Sequence, residues 1–350
     1  MVWAQNASMT FTVTNNTKGK FRDDQIYWVI LGRSGNSFVH VDKNGSLIPM
    51  SVNDNTAPGH LKKGKQEYAN YFYSLAQAKS IQVPRIGSSR VFLSVGSPMY
   101  IRVMPNGYAG ADINNPNDPN IDVYFDFVEF TIDDRGFHGN TTQVDGFGFP
   151  VMIELTDASG QVRKAGHIES RAGLFEAFKR EVPNEFKSCL RAPYRIVSPC
   201  AADFGKGHPH AGYFDKYLTE VWKTFSMEKK LLGGWTGKVT HGELTFSQGS
   251  GKVFKTPKPT TQEAFLGNGV LGHSPQFCAA INRHVLEEPA YWTNPSKYYN
   301  AAPANYYAKF WHDHSINGKA YGFCYDDFNG QDTLIEARQP TNLNITVSWD

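Results

Sequence analysis

The chain has no surplus of one charge. Its 35 Lys and Arg stand against 33 Asp and Glu, leaving a net charge of +2 over 350 residues. A protein held to nucleic acid or to an anionic membrane by its overall field needs a basic excess, so neither partner is expected. No apolar run approaches the ~20 residues of a membrane-spanning helix. The opening stretch MVWAQNASMTFTV has no basic segment and no long apolar one, so no secretory leader is legible in it. Cysteine is scarce: Cys189, Cys200, Cys278 and Cys324 allow two disulfides in any of three pairings and fit no zinc spacing. None sits in a motif that joins a thiol to a base, so disulfides or buried thiols are expected rather than a nucleophile. No metal or cofactor is expected either. His312 and His314 of HDH would lie about 200° apart on a helix, and the HPH at 208–210 reads as a loop. GNGVLGH, at 267–273, is rich in glycine but lacks the spacing of a phosphate-binding loop.

Aromatic residues, by contrast, are plentiful at 14%, alongside 32 Gly and 19 Pro, which indicates a turn-rich β protein with rings to spare for a flat ligand. Residues 8–155 read as short strands, among them MTFTVTN, QIYWVILG, SFVHVD, SRVFLSV and MYIRVM, parted by Asn, Gly and Pro. Strands so closely spaced point to a sandwich or barrel. Helical signals begin near residue 165. SRAGLFEAFKREV has Ser170 as its N-cap and Leu174, Phe175 and Phe178 on one face. GYFDKYLTEVWKTF, SPQFCAAINRHVL and ANYYAKFWHDHSI are three further helical stretches, and NLNITVSW returns to strand alternation. The fold class is therefore mainly β with an α/β part, and the pattern fits a barrel whose last strand closes back onto it. Trp222, Trp235, Trp292 and Trp311 are read as core first and as sugar platforms second.

The stretch FDFVEFTIDDRGFHGNTTQVDGFGFPVMIEL, residues 125–155, is the least ordinary. It reads as a hairpin, yet each apolar strand carries a carboxylate, Glu129 in one and Asp145 in the other. Carboxylates are costly to bury unless paired, hydrated or used. With the loop centred on residue 137, a symmetric register sets the two opposite each other, with Cβ atoms about 5 Å apart. Alternation puts Phe125, Phe127, Glu129 and Thr131 on one face, and Tyr124, Val128, Phe130 and Ile132 on the other. Carboxylates sharing a face repel, which drives their pKa values apart and supplies one acid and one base, as glycoside hydrolysis requires. The plain alternative is an acidic pair on a half-solvated hairpin.

EFTIDDRGFHGNTTQVDGFGFPV, AYGFCYDDFNGQDTL and FTVTNNT resemble blocks of the thaumatin-like superfamily, whose plant members are shorter and far richer in cysteine. The chain more closely resembles glycoside hydrolase family 64, the laminaripentaose-producing β-1,3-glucanases, through NNTKGKFRDDQIYWVILGR, LGNGVLGHSPQFCAAINRHVL and YDDFNGQ. That resemblance implies a thaumatin-like β-barrel or sandwich domain over 1–164 and a mixed α/β domain over 165–319. Residues 320–350 would then supply a groove segment and the final strand, with a wide groove between the two domains. It implies inverting chemistry, with Glu129 as general acid and Asp145, sixteen positions on, as general base. Thr131 and Thr142 match family threonines. Asp133 and His138 stand where the family carries an Asn and a Trp that hold sugar, so stacking is expected to pass to an aromatic of the insert. Asp326 of YDD is expected to add a third groove carboxylate, the alternative being a turn-stabilising Asp. The implied protein is a secreted, monomeric endo-acting hydrolase of long β-1,3-glucans such as laminarin or curdlan, its leader removed. The other class in view is a non-catalytic β-glucan-binding protein on the same scaffold.

Overall fold

A strand that alternates apolar and polar residues buries one face only, and two such sheets satisfy each other face to face. In the computed structural model, which describes residues 7–350, a five-stranded and an eight-stranded sheet do so. The smaller sheet runs Val162–Gly166, Val151–Asp157, Pro340–Ser348, Ser8–Asn16, Ser80–Pro84. Its strand Ser8–Asn16 turns Met9, Phe11 and Val13 inward. Phe11 meets Phe130 of the facing sheet at 4.9 Å between ring centroids. The final strand pairs in parallel with this opening strand, Val13 beside Ile345, so the chain end returns as expected. Of the two architectures expected, the sandwich forms and the barrel does not. Among the described residues the two sheets are separate hydrogen-bonded sets, with no ladder from one to the other.

The strands that place the site are, in chain order, β1 (Ile86–Val95), β2 (Arg102–Met104), β3 (Gly107–Ala109), β4 (Tyr124–Asp133), β5 (Gly136–Thr141), β6 (Gly146–Phe147) and β7 (Ile335–Ala337). In the larger sheet β7, β5, β4 and β1 lie side by side and continue into Ile26–Ser34, Ser37–Val41 and Leu47–Pro49. Burial along β4 follows the expected alternation from Val128 onward: Val128, Phe130 and Ile132 are in the core while Glu129, Thr131 and Asp133 are not.

A second apolar core gathers residues 174–323 around Phe178, Phe186, Phe214, Tyr307 and Trp311. Helix Arg171–Glu181 begins where Ser170 Oγ accepts Gly173 N–H at 3.0 Å, and it buries Leu174 and Phe178. Helices Asp215–Thr224, Pro275–Asn282 and Tyr306–Asp313 follow the other three periodic stretches. A four-stranded antiparallel sheet over 229–257 went unread in the sequence. All four tryptophans of the insert are buried, Trp222 at 9% exposed and Trp311 at 0%, so they are core. Each of the four cysteines is a free thiol, with Cys189 and Cys278 buried. The chain passes between cores at β6: Phe147 belongs to the second and Phe149 to the first.

Candidate active site

The hairpin turns sooner than its sequence pattern indicates. Asp133 pairs with Gly136, leaving only Asp134 and Arg135 in the loop, and Gly136 takes φ +114°. Asp133 makes the early turn favourable, because its carboxylate accepts Arg135 N–H at 2.8 Å and Arg135 Nη2 at 2.8 Å. Glu129 therefore faces Asn140, not Asp145, and the expected opposition of the two carboxylates is corrected. GFHGNT, which spans the expected loop centre at residue 137, is strand β5.

Asp145 lies beyond the end of β5, in a bend just before β6. The second core straps this segment in place. Ser198 N–H donates to the Asp145 carbonyl at 3.0 Å, and Tyr307 Oη donates to the Gln143 carbonyl at 2.6 Å. Gln143 N–H in turn reaches the Tyr321 carbonyl at 2.9 Å. From the first core, the buried Asp126 accepts Gly148 N–H at 3.0 Å. Desolvation pushes the Asp126 carboxyl up to about 7, against the hydrogen bonds that favour its charge.

The two carboxylates face one open depression in two connected parts. A 740 Å³ cleft holds Asp145 with Phe38, Phe92, Asp112 and Phe127, and a 500 Å³ cleft holds Glu129 with Thr131, His138, Asn140 and Leu334. Arg90 and Tyr108 line both parts. Arg90 stands directly across from Glu129 on β1 and donates to Glu129 Oε1 from Nε at 3.0 Å and from Nη2 at 2.9 Å. Its guanidinium lies 4.4 Å from the centroid of the Phe127 ring. Tyr108, carried by the β2–β3 hairpin, sets its ring edge-on to Phe38 and Phe92. The Asp145 side chain reaches solvent, but the concave walls exclude much of the water around it. That desolvation raises its pKa, Arg90 opposes the rise, and Glu129 and Asp112 add to it.

The remaining expected residues divide. Thr131 lines the Glu129 cleft, and its hydroxyl accepts Ser88 N–H at 3.2 Å. His138 lines it too, held by Glu336 at 2.5 Å from Nδ1 and facing Asp133 at 3.5 Å from Nε2. Asp133 caps the turn and lines a neighbouring depression. Thr142 is 4% exposed, and its hydroxyl caps Val144 N–H, so it supports the Asp145 bend and does not face the cleft. Asp326 is corrected likewise. It is fully buried between Arg283, at 2.9 Å, and His312, at 3.0 Å, which hold its carboxylate below the usual range despite its burial. His314 turns the other way, to Glu169 and Glu181.

The phenylalanine and tyrosine rings on the cleft walls, Phe38, Phe92, Tyr108, Phe125, Phe127 and Phe130, all precede residue 164, and no insert aromatic lines these two clefts among the described residues. Arg90 and Tyr108 went unread in the sequence. A cation in SRVFLSV and a tyrosine in NGYAG carry no local signal: cross-strand register brings Arg90 to Glu129, and a separate hairpin packed on Phe38 and Phe92 brings Tyr108.

Known proteins agree with this architecture. The structure is similar to a family 64 β-1,3-glucanase domain from Clostridium beijerinckii, at 39% identity and TM-score 0.90 over 98% of both chains. It is also similar to a family 64 laminaripentaose-producing β-1,3-glucanase from Paenibacillus barengoltzii, at 43% identity and TM-score 0.85, covering 98% of this chain and 75% of that one. The latter protein has also been solved complexed with laminarihexaose. The sequence is 28% identical to a glucan endo-1,3-beta-glucosidase of Cellulosimicrobium cellulans across 97% of this chain, and it spans 65% of that relative's length. The family model for β-1,3-glucanases of glycoside hydrolase family 64 matches residues 7–347, and the chain belongs to that family.

Proposed function

We propose that the chain hydrolyses long β-1,3-glucans at internal bonds by an inverting mechanism. The observation that carries this reading is the placing of Glu129 and Asp145 on one open depression, from two different segments. Directly opposed strand positions would start about 5 Å apart, the spacing of retaining enzymes. Because Asp145 comes from the bend after β5 rather than from across the strand, the register does not impose that spacing on the pair. Inversion needs carboxyl groups roughly 6.5–9.5 Å apart for that water. Glu129 protonates the leaving glycosidic oxygen, while Asp145 takes a proton from the water attacking the opposite face of the ring. Desolvation raises the affinity of Asp145 for a proton, Arg90 opposes the rise, and the nearby Glu129 and Asp112 add to it. Tyr108 and Phe127 offer apolar faces to sugar rings, and Thr131 and His138 offer polar contacts beside Glu129.

A second assignment has its own support. Arg90 donates twice to Glu129, an arrangement suited to a carboxylate, while the surroundings of Asp145 favour its protonated form. The roles are then exchanged, with Asp145 as acid and Glu129 as base. Chemical rescue separates the two. Azide restores turnover to a variant lacking the base, and an activated leaving group restores it to one lacking the acid.

The first test is Glu129→Gln and Asp145→Asn assayed on laminarin and curdlan. Each loses about 10²–10⁴-fold in kcat with glucan binding kept. Near-native turnover in either variant removes that residue from the mechanism. Binding alone gives no reason to hold two carboxylates on one depression, so a glucan-binding protein without activity is the weaker reading.

The two apolar cores support a division into a domain over 1–164, a domain over 165–319 and a returning segment over 320–350. The sandwich with its hairpin-borne acid fits the thaumatin-like scaffold. A secreted monomer acting on glucan, without nucleic acid or membrane as partner, completes the proposal.

A further inference from the structure

We propose that Arg90 is a positioning residue for the acid–base pair, one guanidinium setting the orientation of Glu129 and biasing the charge of Asp145. The proposal rests on the glucan-hydrolase reading of this site.

Three independent constraints fix the guanidinium. Antiparallel pairing of β1 with β4 sets Arg90 beside Glu129, so the backbone register itself brings the two side chains together. The Phe127 ring, two residues before Glu129 on the same face, supports the guanidinium at 4.4 Å. Nε and Nη2 both converge on the one oxygen Oε1, at 3.0 and 2.9 Å. The fork of donors therefore holds one oxygen of Glu129 and leaves Oε2 as the oxygen that meets substrate. A carboxylate on a strand surface otherwise samples several rotamers, and proton transfer needs one of them.

Arg90 also lines both parts of the depression, which makes it the cation common to the two carboxylates. Asp145 is faced by Glu129 from β4, by Asp112 from the loop after β3, by Tyr307 and by Cys324. Burial pushes the last two above their usual values, so both are neutral near pH 7. Arg90 is the cation that opposes the rise, while Arg195, which lines a small cavity with Asp145, donates to the Asn120, Ile121 and Val123 carbonyls. Removing Arg90 therefore pushes the Asp145 carboxyl further up. With Asp145 as base, the acid limb of the rate profile then moves to higher pH. With Asp145 as acid, it is the basic limb that moves.

The variants are Arg90→Gln and Arg90→Lys, their folding checked by circular dichroism. With 39% of its side chain exposed, Arg90 should be replaceable at modest cost in stability. On laminari-oligosaccharides, Arg90→Gln is expected to lose on the order of 10–10²-fold in kcat. KM stays within about twofold, and the Asp145 limb shifts upward. Arg90→Lys keeps the charge without the fork, so it returns the limb toward its native position while kcat stays low. A native kcat and an unmoved profile in Arg90→Gln would overturn the proposal, as would a defect confined to KM, which marks a sugar contact. Glu129→Gln is run in parallel. If it turns over at the native rate, the acid–base reading falls and takes the proposal with it. If it is inactive while Arg90→Gln is native, only the role of Arg90 is lost.

Discussion

Three carboxylates in this chain, two buried and one exposed in a cleft, have three fates, decided by what surrounds each. Asp326 is fully buried yet remains charged, because Arg283 and His312 reach it from two sides. Removing one partner leaves the others uncompensated, so Asp326→Asn or Arg283→Met should destabilise the fold by about 3–5 kcal/mol. Thermal or urea unfolding measures this, and a loss under 1 kcal/mol would show that water reaches the cluster. Asp126 has no such ion pair within hydrogen-bond reach and is raised to about 7. The unfolded chain binds its proton only below the ordinary value of 3.8, so between roughly pH 4 and 7 the folded state holds the extra proton. The contribution of Asp126 to stability is thus fully present at acidic pH and is lost as pH rises through that window. Asp126→Asn should flatten this fall in a series of melting curves. A variant that loses stability with pH as steeply as the parent would rule Asp126 out as its source. Asp145, open to solvent in its cleft, is shifted the same way and is the one proposed for the chemistry.

At the scale of elements, the tight turn between β4 and β5 decides the floor of the site. Gly136 sits at φ +114°, and a Cβ there would come within 2.0 Å of the Ala337 carbonyl on β7. Gly136→Ala must therefore push β7 away or open the turn. Either shift moves Glu336 off His138 and rotates the edge of the Glu129 cleft. We expect kcat/KM for soluble laminarin to fall at least tenfold, with a lowered Tm. A fully active, fully stable variant would mean that the turn does not govern the site. The closing strand Pro340–Ser348 works on the other sheet. Ile345 is fully buried between two neighbouring strands, and Ile345→Ala should cost about 2–5 kcal/mol without altering the pH profile.

Across the whole molecule, the sandwich supplies Glu129 while the second core holds the segment that carries Asp145, through Ser198, Tyr307 and Tyr321. Neither core alone builds the pair. The depression is open and its two clefts share Arg90 and Tyr108 as walls, so under the proposed function it would take the middle of a glucan chain. Chromatography of the earliest curdlan digest should therefore show oligosaccharides, and dominant glucose would refute an internal mode of attack. Proton NMR of a fresh digest should show the α-anomer before mutarotation, and a β-anomer first would assign Asp145 a nucleophile's role.

Sequence alone determined what short-range rules govern: the alternating strands, the Ser170-capped helix, the change from β to mixed structure and the two carboxylates that the family motif singles out. It also placed Glu129 on the face opposite Val128 and Phe130, because side chains alternate whatever the partner strand. Register lay beyond it. The hydrophobic pattern accommodated a loop centred on residue 137, and the Asp133 cap with Gly136 selected an earlier turn, moving Asp145 out of the hairpin. The fate of Asp326 also needed tertiary structure, because its partners Arg283 and His312 come from other segments of the chain. Arg90 and Tyr108 were illegible for the same reason. What makes them part of the site is which strands become neighbours, and that is settled by packing two sheets and a second core together rather than by any local run of residues.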